Sequence, residues 1–526
     1  MRVFSRAAWL VVVGALVAWS IHSRPAYSQG SGSAEGSADP GDEEDASGSG
    51  SGTALVAPAL PAAKKQWVGE RMQRSIAARP LLARAKIGVA VTDLVTGEEV
   101  FAANADLKLN LASNTKLLTS VAALGTLGNG FRWRTTVLAE KPVDDAGVIE
   151  GDLYLRGKGD PMLSVANLDA LAAEVAARGV RTIEGRLVLD TGYFDGVVEP
   201  PHFDEQPKER SGFRAPVASL GVARSSITVI VVADPGGGAT VSLEPDTGGY
   251  FAITKREVTS VTTGRSRLRV EMKPKKDRIE VEVTGTIRAG EGSYDFRRRV
   301  DDPARFAAEV FKRALADRGV TFKQKAIGAG AVPLTAKAIA VHDSPPLPDV
   351  LRFMNKTSDN YVAESVLKTL GAETRTTPGP ATWADGTAAV KAYLATIGIP
   401  AGSLRADNGS GLFASTDVSA HQMITLLTAA HKDYRIGPDL VATLPIGGVD
   451  GTLAKRWKGH PAQGRVRAKT GTLDKVVTIA GYLAADSGHP LAFAILLNDI
   501  PAGQRSLARA LMDEMVDVLA AYLGAS

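Results

Sequence analysis

The sequence of 526 residues contains no cysteine. That absence excludes a disulfide framework, thiolate zinc sites, a thiol nucleophile and a lipidated N-terminal cysteine. Histidine is scarce, with seven in the chain, and no pair has the His-Glu-x-x-His spacing of a metalloprotease helix. Aromatic residues make up only 6%, and they do not alternate with basic residues as on a nucleic-acid surface. We therefore expect no metal site, no cofactor and no nucleic-acid partner.

Long hydrophobic runs are also scarce, and the one that occurs lies at the N-terminus. Arg2 and Arg6 precede fifteen mostly apolar residues, 7–21. This pattern predicts a secretory signal peptide over residues 1–28, with export and cleavage near Ser28. The alternative is a retained anchor, but fifteen helical residues cover about 22 Å of a hydrocarbon core about 30 Å thick. No other run reaches 18 apolar residues, so we expect no membrane span in the mature chain.

Basic residues are absent from the next segment, residues 29–63, which contains six acidic residues among Gly, Ser, Ala and Pro. Such a composition cannot bury enough apolar surface to offset the entropy of ordering, and it predicts a disordered tether. Because the signal peptide carries three arginines, residues 64–526 hold a net charge of +7. A basic body in an exported protein suits an anionic cell-surface polymer, although a basic protein without such a ligand fits the charge equally well.

The rest of the chain has the composition of a globular protein, with 44% hydrophobic and 22% charged residues. Its length predicts about three domains. Strand-like alternation dominates residues 141–335, whereas helical periodicity and a final strand and helix characterise the flanking parts. We therefore predict one sheet-and-helix domain made of residues 64–140 and 336–526. The β-rich insert between them is expected to form two domains, the inner one covering about 223–298.

Local patterns predict several individual elements of the sheet-and-helix domain. Apolar spacing predicts a helix over 64–85, and the break in alternation at Thr96-Gly97 predicts a hairpin. Ser113 is expected to open the next helix, because Leu117, Val121 and Leu124 recur at helical spacing. Near the C-terminus, the pattern predicts a strand over 491–497 and a helix over 507–522.

The first candidate for chemistry is Ser113-Asn114-Thr115-Lys116, a Ser-x-x-Lys motif at the start of this predicted helix. Helical spacing of three residues places the Lys116 amine beside the Ser113 hydroxyl, where it can act as a base. The helix N-terminus also supplies N–H groups and positive potential for a developing oxyanion. Alone the motif is weak, and Ser365 with Lys368 forms a second copy.

Two further motifs follow in order. Ser358-Asp359-Asn360 comes after a helix-like segment, and Lys469-Thr470-Gly471-Thr472 lies on a strand-like segment. The serine can relay a proton to a leaving amine, the asparagine can bind a substrate amide, and the lysine and threonine can hold a carboxylate. Gly471 allows a backbone to approach the strand closely. A second cation near Lys116 would also lower its pKa, which favours its use as a base.

With these three motifs in this order, the chain resembles the active-site serine penicillin-recognising enzymes. It is most similar to their low-molecular-mass class C penicillin-binding proteins, the D-alanyl-D-alanine carboxypeptidase/endopeptidase family. The resemblance covers nearly all of residues 64–526, including the 245 positions that separate Ser113 from Ser358. It also includes the segments Asn408-Gly409-Ser410-Gly411-Leu412 and 444–453. It implies an α/β (α+β) fold, a serine β-lactamase/DD-peptidase-like catalytic domain with a large β-rich insert.

The resemblance also implies roles for the motif residues. Ser113 is the nucleophile and Lys116 the base, and the backbone N–H groups of Ser113 and Thr472 form the oxyanion hole. The second active-site element and the carboxylate-binding edge are implied to consist of Ser358, Asn360, Lys469, Thr470, Gly471 and Thr472. The implied activity is that of a periplasmic serine DD-peptidase acting on peptidoglycan stem peptides, with β-lactam antibiotics as inhibitors. The motifs imply no oligomeric state.

Two other functions stay open from the sequence. A β-lactamase-like hydrolase or esterase would need rapid deacylation, for which class A enzymes use a Glu in a Glu-x-x-Leu-Asn loop. Between Ser358 and Lys469 only Glu364 and Glu373 occur, and neither is followed by Leu-Asn, which disfavours this function. A catalytically silent wall-binding protein would suit the tether and the insert, but it need not keep Ser113 and its lysine. Carboxypeptidase and endopeptidase action are both compatible with the motifs.

Overall fold

The computed structural model describes residues 55–58, 61–247, 249–276 and 278–524. The predicted signal peptide, and the predicted tether apart from residues 55–58 and 61–63, lie outside the described residues. The first helix spans Pro61–Ala77, so the prediction of a helix over 64–85 is wrong at both ends. It stops before Pro80, which begins a short 3₁₀ turn, because a proline disfavours helical geometry in the residue before it. No helix in the described ranges is long and apolar enough to cross a bilayer.

The helices are distributed along the whole described chain. Their bounds are α1 Pro61–Ala77, α2 Thr115–Leu127, α3 Val165–Ala177, α4 Pro303–Ala316, α5 Leu347–Thr357, α6 Asn360–Thr374, α7 Trp383–Thr396, α8 Ala420–Lys432, α9 Gly437–Thr443 and α10 Arg505–Leu523.

The strands are concentrated at the two ends of the chain and in the middle third. Their bounds are β1 Lys86–Asp93, β2 Glu99–Ala103, β3 Arg134–Ala139, β4 Val148–Ile149, β5 Leu153–Gly157, β6 Thr182–Ile183, β7 Leu187–Asp190, β8 Ser226–Ala233, β9 Ala239–Glu244, β10 Phe251–Val261, β11 Arg267–Pro274, β12 Ile279–Arg288, β13 Ser293–Arg299, β14 Thr321–Phe322, β15 Ile327–Ala329, β16 Lys337–Asp343, β17 Arg405–Ala406, β18 Thr416–Asp417, β19 Val466–Leu473, β20 Val476–Ala484 and β21 Pro490–Asn498.

An antiparallel sheet in the order β19-β20-β21-β1-β2 joins the two ends of the chain. β1 pairs with β21 along its full length, and the β1–β2 hairpin turns where the break in alternation predicts it. Nearly every residue of β20 and β21 is buried, because helices cover both faces of the sheet. Val477, Phe493 and Ile495 face α1 and α10, whereas smaller residues such as Ala492 and Ala494 belong to the core that includes α2 and α8.

The inserted part contains a second sheet in the order β15-β7-β5-β3-β16, with α3 and α4 contributing to its core. At one end of this sheet the edge strand β16 pairs with β3, from Arg134↔Asp343 to Lys337↔Ala139. Both strands lie just outside the predicted insert of 141–335. Because these strands complete the inserted sheet, we propose that the inserted unit spans about 134–343.

Two three-stranded sheets, β10-β12-β11 and β13-β8-β9, make up the inner part of the insert. β11 and β12 form an antiparallel hairpin, whereas β10 runs parallel to β12. One cluster of buried apolar side chains runs through both parts of the insert and includes Leu155, Val229, Val283 and Phe306. The chain thus combines separate helices with mainly antiparallel sheets, which agrees with the predicted α/β (α+β) class.

Candidate active site

Ser113 lies in a 3₁₀ turn, Ala112–Asn114, that leads into α2. The α-helix itself begins at Thr115 rather than at Ser113. Ala112 has a φ of 47°, a left-handed conformation that an alanine adopts only under constraint from its surroundings. The Lys116 side chain is fully buried, and its Nζ lies 3.1 Å from Ser113 Oγ. The motif therefore brings a hydroxyl and an amine within hydrogen-bonding distance, as its spacing predicts.

Two carbonyl oxygens hold the Lys116 amine from other directions. Lys116 Nζ donates to Asn360 Oδ1 at 2.7 Å and to the backbone oxygen of Ser410 at 3.0 Å. A carbonyl oxygen can only accept a hydrogen bond, so each contact uses one N–H of the amine. In the neutral amine, the two N–H bonds are then engaged and the lone pair is free to face Ser113 Oγ.

Ser358 and Asn360 lie at the junction between two helices. α5 ends at Thr357, Ser358 adopts a left-handed conformation with a φ of 59°, and α6 begins at Asn360. Asp359 caps α6 by accepting from Val362 N at 3.1 Å. This sharp junction places the amide of Asn360 on Lys116, and its Nδ2 donates to Phe213 O of the insert at 3.1 Å.

Lys469 lies on β19, the edge strand of the main sheet, with its side chain fully buried. Its Nζ donates to Ser358 Oγ at 2.8 Å and to the Thr470 backbone oxygen at 2.7 Å. The pKa of Lys469 lies well below its usual range, mainly because the side chain is buried and also because the charge of Lys116 repels its ammonium form. Thr470 Oγ1 lies 2.8 Å from Thr452 Oγ1, which orients the hydroxyl along the strand edge.

Gly471 is where β19 approaches the turn that carries Ser113. A Cβ atom at this position would lie 2.6 Å from Leu111 O and 3.0 Å from Ser113 N. The close approach that requires glycine is therefore to the protein's own backbone, not only to a substrate. Ala468 N–H donates away from β20, to Pro445 O, and alternation along the strand turns the Thr472 N–H to the same open edge. The Thr472 N–H thus points away from β20, on the strand that approaches Ser113 N at Gly471.

The second Ser-x-x-Lys copy has a different environment. Ser365 is buried and donates to Tyr361 O within α6. Lys368 is also fully buried, where it pairs with Asp195 and lies 3.9 Å above the ring of Trp383. Both groups are thus engaged away from Ser113, and this pair stabilises the interior.

The insert contributes ion pairs to the Ser358-Asp359-Asn360 segment that the sequence does not reveal. Arg224 and Arg297 approach Asp359 at 3.3 and 3.2 Å. Burial alone would raise the pKa of Asp359, but the two guanidinium groups outweigh it and hold the pKa below its usual value. The separation of more than 60 positions between these partners leaves no local pattern that could predict the contact.

The carbonyl of Ser410 is a further group that sequence reasoning misses. Asn408-Gly409 predicts only a turn, and a backbone oxygen carries no signal in its residue type. Gly411 has a φ of 78°, and a Cβ there would lie 1.8 Å from Ala112 O. This turn is therefore pressed against the Ser113 segment, which brings the Ser410 carbonyl to Lys116.

Known proteins resemble this chain over most of its length. The model of the D-Ala-D-Ala carboxypeptidase 3 (S13) family matches residues 70–522. A D-alanyl-D-alanine carboxypeptidase of Actinomadura sp. (strain R39) is 35% identical over 461 residues, which cover 85% of this chain and 83% of the relative. The D-alanyl-D-alanine carboxypeptidase DacB of Haemophilus influenzae is 28% identical over 395 residues, 74% of this chain and 81% of the relative.

Solved structures show the same fold. The crystal structure of penicillin binding protein 4 (dacB) from Haemophilus influenzae superposes with a TM-score of 0.70 at 24% identity, covering 85% of this chain and 99% of that one. Its complex with a β-lactam superposes with a TM-score of 0.64, covering 82% and 95% of the two chains. The similarity extends over the insert as well as the sheet-and-helix domain.

Proposed function

The chain belongs to the D-Ala-D-Ala carboxypeptidase 3 (S13) family, and on that basis we propose that it hydrolyses D-Ala bonds in peptidoglycan stem peptides through an acyl-enzyme on Ser113. Membership confirms the resemblance to low-molecular-mass class C penicillin-binding proteins, and the chain is a serine peptidase. The observation that carries the assignment of residues is the 3.1 Å contact between Lys116 Nζ and Ser113 Oγ beside Asn360.

Acylation begins when the neutral amine of Lys116 takes the proton of Ser113 Oγ, which attacks the carbonyl carbon of the penultimate D-Ala. The carbonyl oxygen gains the negative charge of the tetrahedral intermediate, and the Ser113 and Thr472 N–H groups stabilise it. Ser358, which accepts from Lys469 at 2.8 Å, donates its proton to the departing amine and takes a proton from the Lys469 ammonium in return, so the two lysines together still hold one proton. The C–N bond breaks, and Ser113 carries the acyl group as an ester.

The substrate's terminal carboxylate is the group for which the β19 edge is suited. Lys469 lies buried at this edge, where a bound carboxylate would favour its ammonium form, and Thr470 supplies a hydroxyl that contacts Thr452. A buried cation binds a carboxylate more strongly than an exposed one because water screens it less. A β-lactam presents a carboxylate and a strained amide in the same relation, so we propose that it acylates Ser113 too.

Deacylation requires a water molecule and a base. The β-lactamase-like alternative needs a carboxylate for this step, and both available glutamates are engaged elsewhere. Glu364 accepts from two backbone amides and an indole, while Glu373 accepts from Tyr193 OH. Neither is directed at Ser113, which supports slow hydrolysis of a penicilloyl adduct. The convergence of Lys116 and Lys469 on two serine hydroxyls likewise argues against a silent wall-binding protein.

We further propose that the chain is exported and acts in the periplasm, because the predicted signal peptide precedes a body suited to an anionic polymer. Whether the leader is cleaved near Ser28 is tested by N-terminal sequencing of the protein recovered from a periplasmic extract. An N-terminus within the tether supports export with cleavage, whereas an intact Met1 in the membrane fraction contradicts it.

Labelling with a fluorescent penicillin tests the proposed activity. We expect one covalent addition by intact-mass spectrometry, located on Ser113 by peptide mapping and persisting for minutes to hours, because Glu364 and Glu373 are both engaged in other hydrogen bonds. Ser113→Ala should abolish the addition. Ser365→Ala is the matched control, since it makes the same change in the buried copy of the motif, and it should label normally. An adduct on Ser365, or one that clears within seconds, would contradict the proposal.

A further inference from the structure

Glu364 is a buried carboxylate on α6 that the proposed chemistry does not use. Its side chain is almost fully buried, with 1% of the residue surface exposed. Oε1 accepts from Ser410 N at 2.8 Å, and Oε2 accepts from Gly409 N and from Trp383 Nε1, both at 3.0 Å. Burying a carboxylate is costly unless such donors satisfy it, so three donors directed at one carboxylate indicate a built arrangement.

The segment held by Glu364 is the one that contacts Lys116. Ser410 donates its N–H to Glu364 and offers its carbonyl to Lys116 Nζ at 3.0 Å. The neighbouring carbonyl of Gly409 accepts from Thr119 Oγ1 at 2.9 Å. The 409–410 peptide is therefore fixed between α6 on one side and α2 on the other.

The orientation of the Lys116 lone pair depends on this carbonyl. The neutral amine has two N–H bonds. Asn360 Oδ1 accepts one and the Ser410 oxygen accepts the other, so the lone pair of the amine points toward Ser113. Without it, the amine could turn an N–H toward Ser113 and would lose its function as a base. A small displacement of a catalytic group is enough to reduce a rate strongly.

We propose that Glu364 is a positioning residue for acylation, acting through the Gly409-Ser410 peptide to hold the carbonyl that orients the Lys116 amine. This inference deepens the proposed function and rests on it. Other charges face these two groups: Lys469 repels Lys116 from β19, and Lys368 attracts Glu364 from within α6. Both remain in the variants below.

The test compares pH profiles of acylation by a fluorescent penicillin. Glu364→Gln keeps the shape of the side chain, but it presents an amide N–H₂ to groups that are themselves donors, so the 409–410 peptide should shift. We expect the plateau rate to fall about 10- to 100-fold, the range for losing hydrogen bonds to a charged group. The rising limb of the profile, where the acylation rate increases with pH, should move to lower pH, because the ammonium form of Lys116 loses a carbonyl acceptor and a nearby negative charge.

Glu373→Gln is the matched control, since it makes the same change on the same helix at a carboxylate that contacts Tyr193. It should leave the profile unchanged. A rising limb for Glu364→Gln that coincides with that of the wild type overturns the inference, whatever the plateau, because a merely structural role would not move it. Failure of the wild type to acylate at all would instead contradict the proposed function.

A second variant covers the case in which Glu364→Gln does not fold, as judged by circular dichroism. Thr119→Val removes the hydrogen bond to Gly409 O from the α2 side while keeping the side-chain volume. The Ser410 carbonyl should again move, and the rising limb should shift in the same direction by a smaller amount. A Thr119→Val profile identical to the wild type overturns the inference.

Discussion

Lys116 and Lys469 are two fully buried lysines, and their amines contact the hydroxyl groups of Ser113 and Ser358, respectively. Burial and the charge of Lys116 lower the pKa of Lys469. Because the two amines interact, the first proton lost belongs to the pair rather than to one residue. The remaining proton keeps one cation in the site. This division suits a reaction that needs one neutral amine as a base and one ammonium for a carboxylate.

The two lysines should therefore fail differently when changed. Lys116→Ala is expected to lower the acylation rate by about 10²- to 10⁴-fold, the usual worth of a general base, with little change in non-covalent binding. Lys469→Ala should mainly weaken recognition of peptides that end in D-Ala, by about 1.5–3 kcal/mol. Kinetics on a diacyl-D-Ala-D-Ala peptide measure both effects. If Lys116→Ala acylates normally while Lys469→Ala does not, the roles are reversed.

The rate of the wild type should also depend on pH in two steps. As pH rises, loss of the first proton creates the base and the rate climbs. Loss of the second removes the carboxylate-binding cation, and the rate on a carboxylate substrate falls at higher pH. The two limbs belong to the coupled pair rather than to one residue each.

Among the secondary-structure elements, α10 carries an acidic side chain in an unfavourable setting. Asp517 is mostly buried, and its Oδ1 has no hydrogen-bond partner within the described part of the chain. Burial, with Asp513 and Glu514 adding to it, raises the pKa of Asp517 from 3.8 to about 6 despite a 3.2 Å contact with His460. The folded protein therefore binds this proton more tightly than the unfolded chain.

Removing that charge should stabilise the protein at neutral pH. Because the folded-state pKa lies above the unfolded value, stability falls as pH rises from about 4 past 6. Asp517→Asn should recover up to about 3 kcal/mol at pH 7.5 and nothing below pH 4. Thermal unfolding at the two pH values measures it. Asp513→Asn on the same helix is the control: it breaks an ion pair with Arg456 and should not stabilise.

In the molecule as a whole, the insert contacts the segment that carries Ser358 and Asn360. Arg224 and Arg297 pair with Asp359, and Phe213 O accepts from Asn360. These contacts hold the α5–α6 junction, where Ser358 has a left-handed conformation. Strain at such a junction persists only when neighbouring groups over-determine it. We therefore expect the insert to be required for acylation as well as for any interaction of its own.

Arg297→Met tests this support. Asp359 would keep Arg224 but lose its hydrogen bond with Arg297, which should lower the stability by roughly 1–3 kcal/mol. The neighbouring Asn360 should then move, and acylation should slow. Arg269→Met is the control, because Arg269 lies on β11 of the same insert in an exposed ion pair that contributes little. Unfolding and fluorescent-penicillin kinetics measure the two effects. Normal acylation by Arg297→Met would mean that the insert does not position the site.

The family, the fold class and the candidate site residues all follow from the sequence. The order and spacing of the three motifs are read directly from the sequence. Local patterns also predict the Thr96-Gly97 hairpin, the final strand and the final helix, which the structure confirms. The assignment of roles to Ser113, Lys116 and Lys469 stays a prediction, and their proximity in the structure supports it. The helix predicted over 64–85 is wrong because the pattern of apolar residues continues past the point where Pro80 stops the helix.

The contacts between distant segments are visible in the three-dimensional structure alone. The Ser410 carbonyl, the Glu364 carboxylate and the arginines around Asp359 come from segments far apart in the chain, and a backbone oxygen or a buried ion pair leaves no periodic signal. The same holds for Gly471: a glycine is required there because β19 approaches the Ser113 turn too closely for a Cβ atom. Residue types and their local spacing are properties of the sequence, whereas the distances between distant segments are set by packing, because burial of apolar faces does not depend on sequence separation.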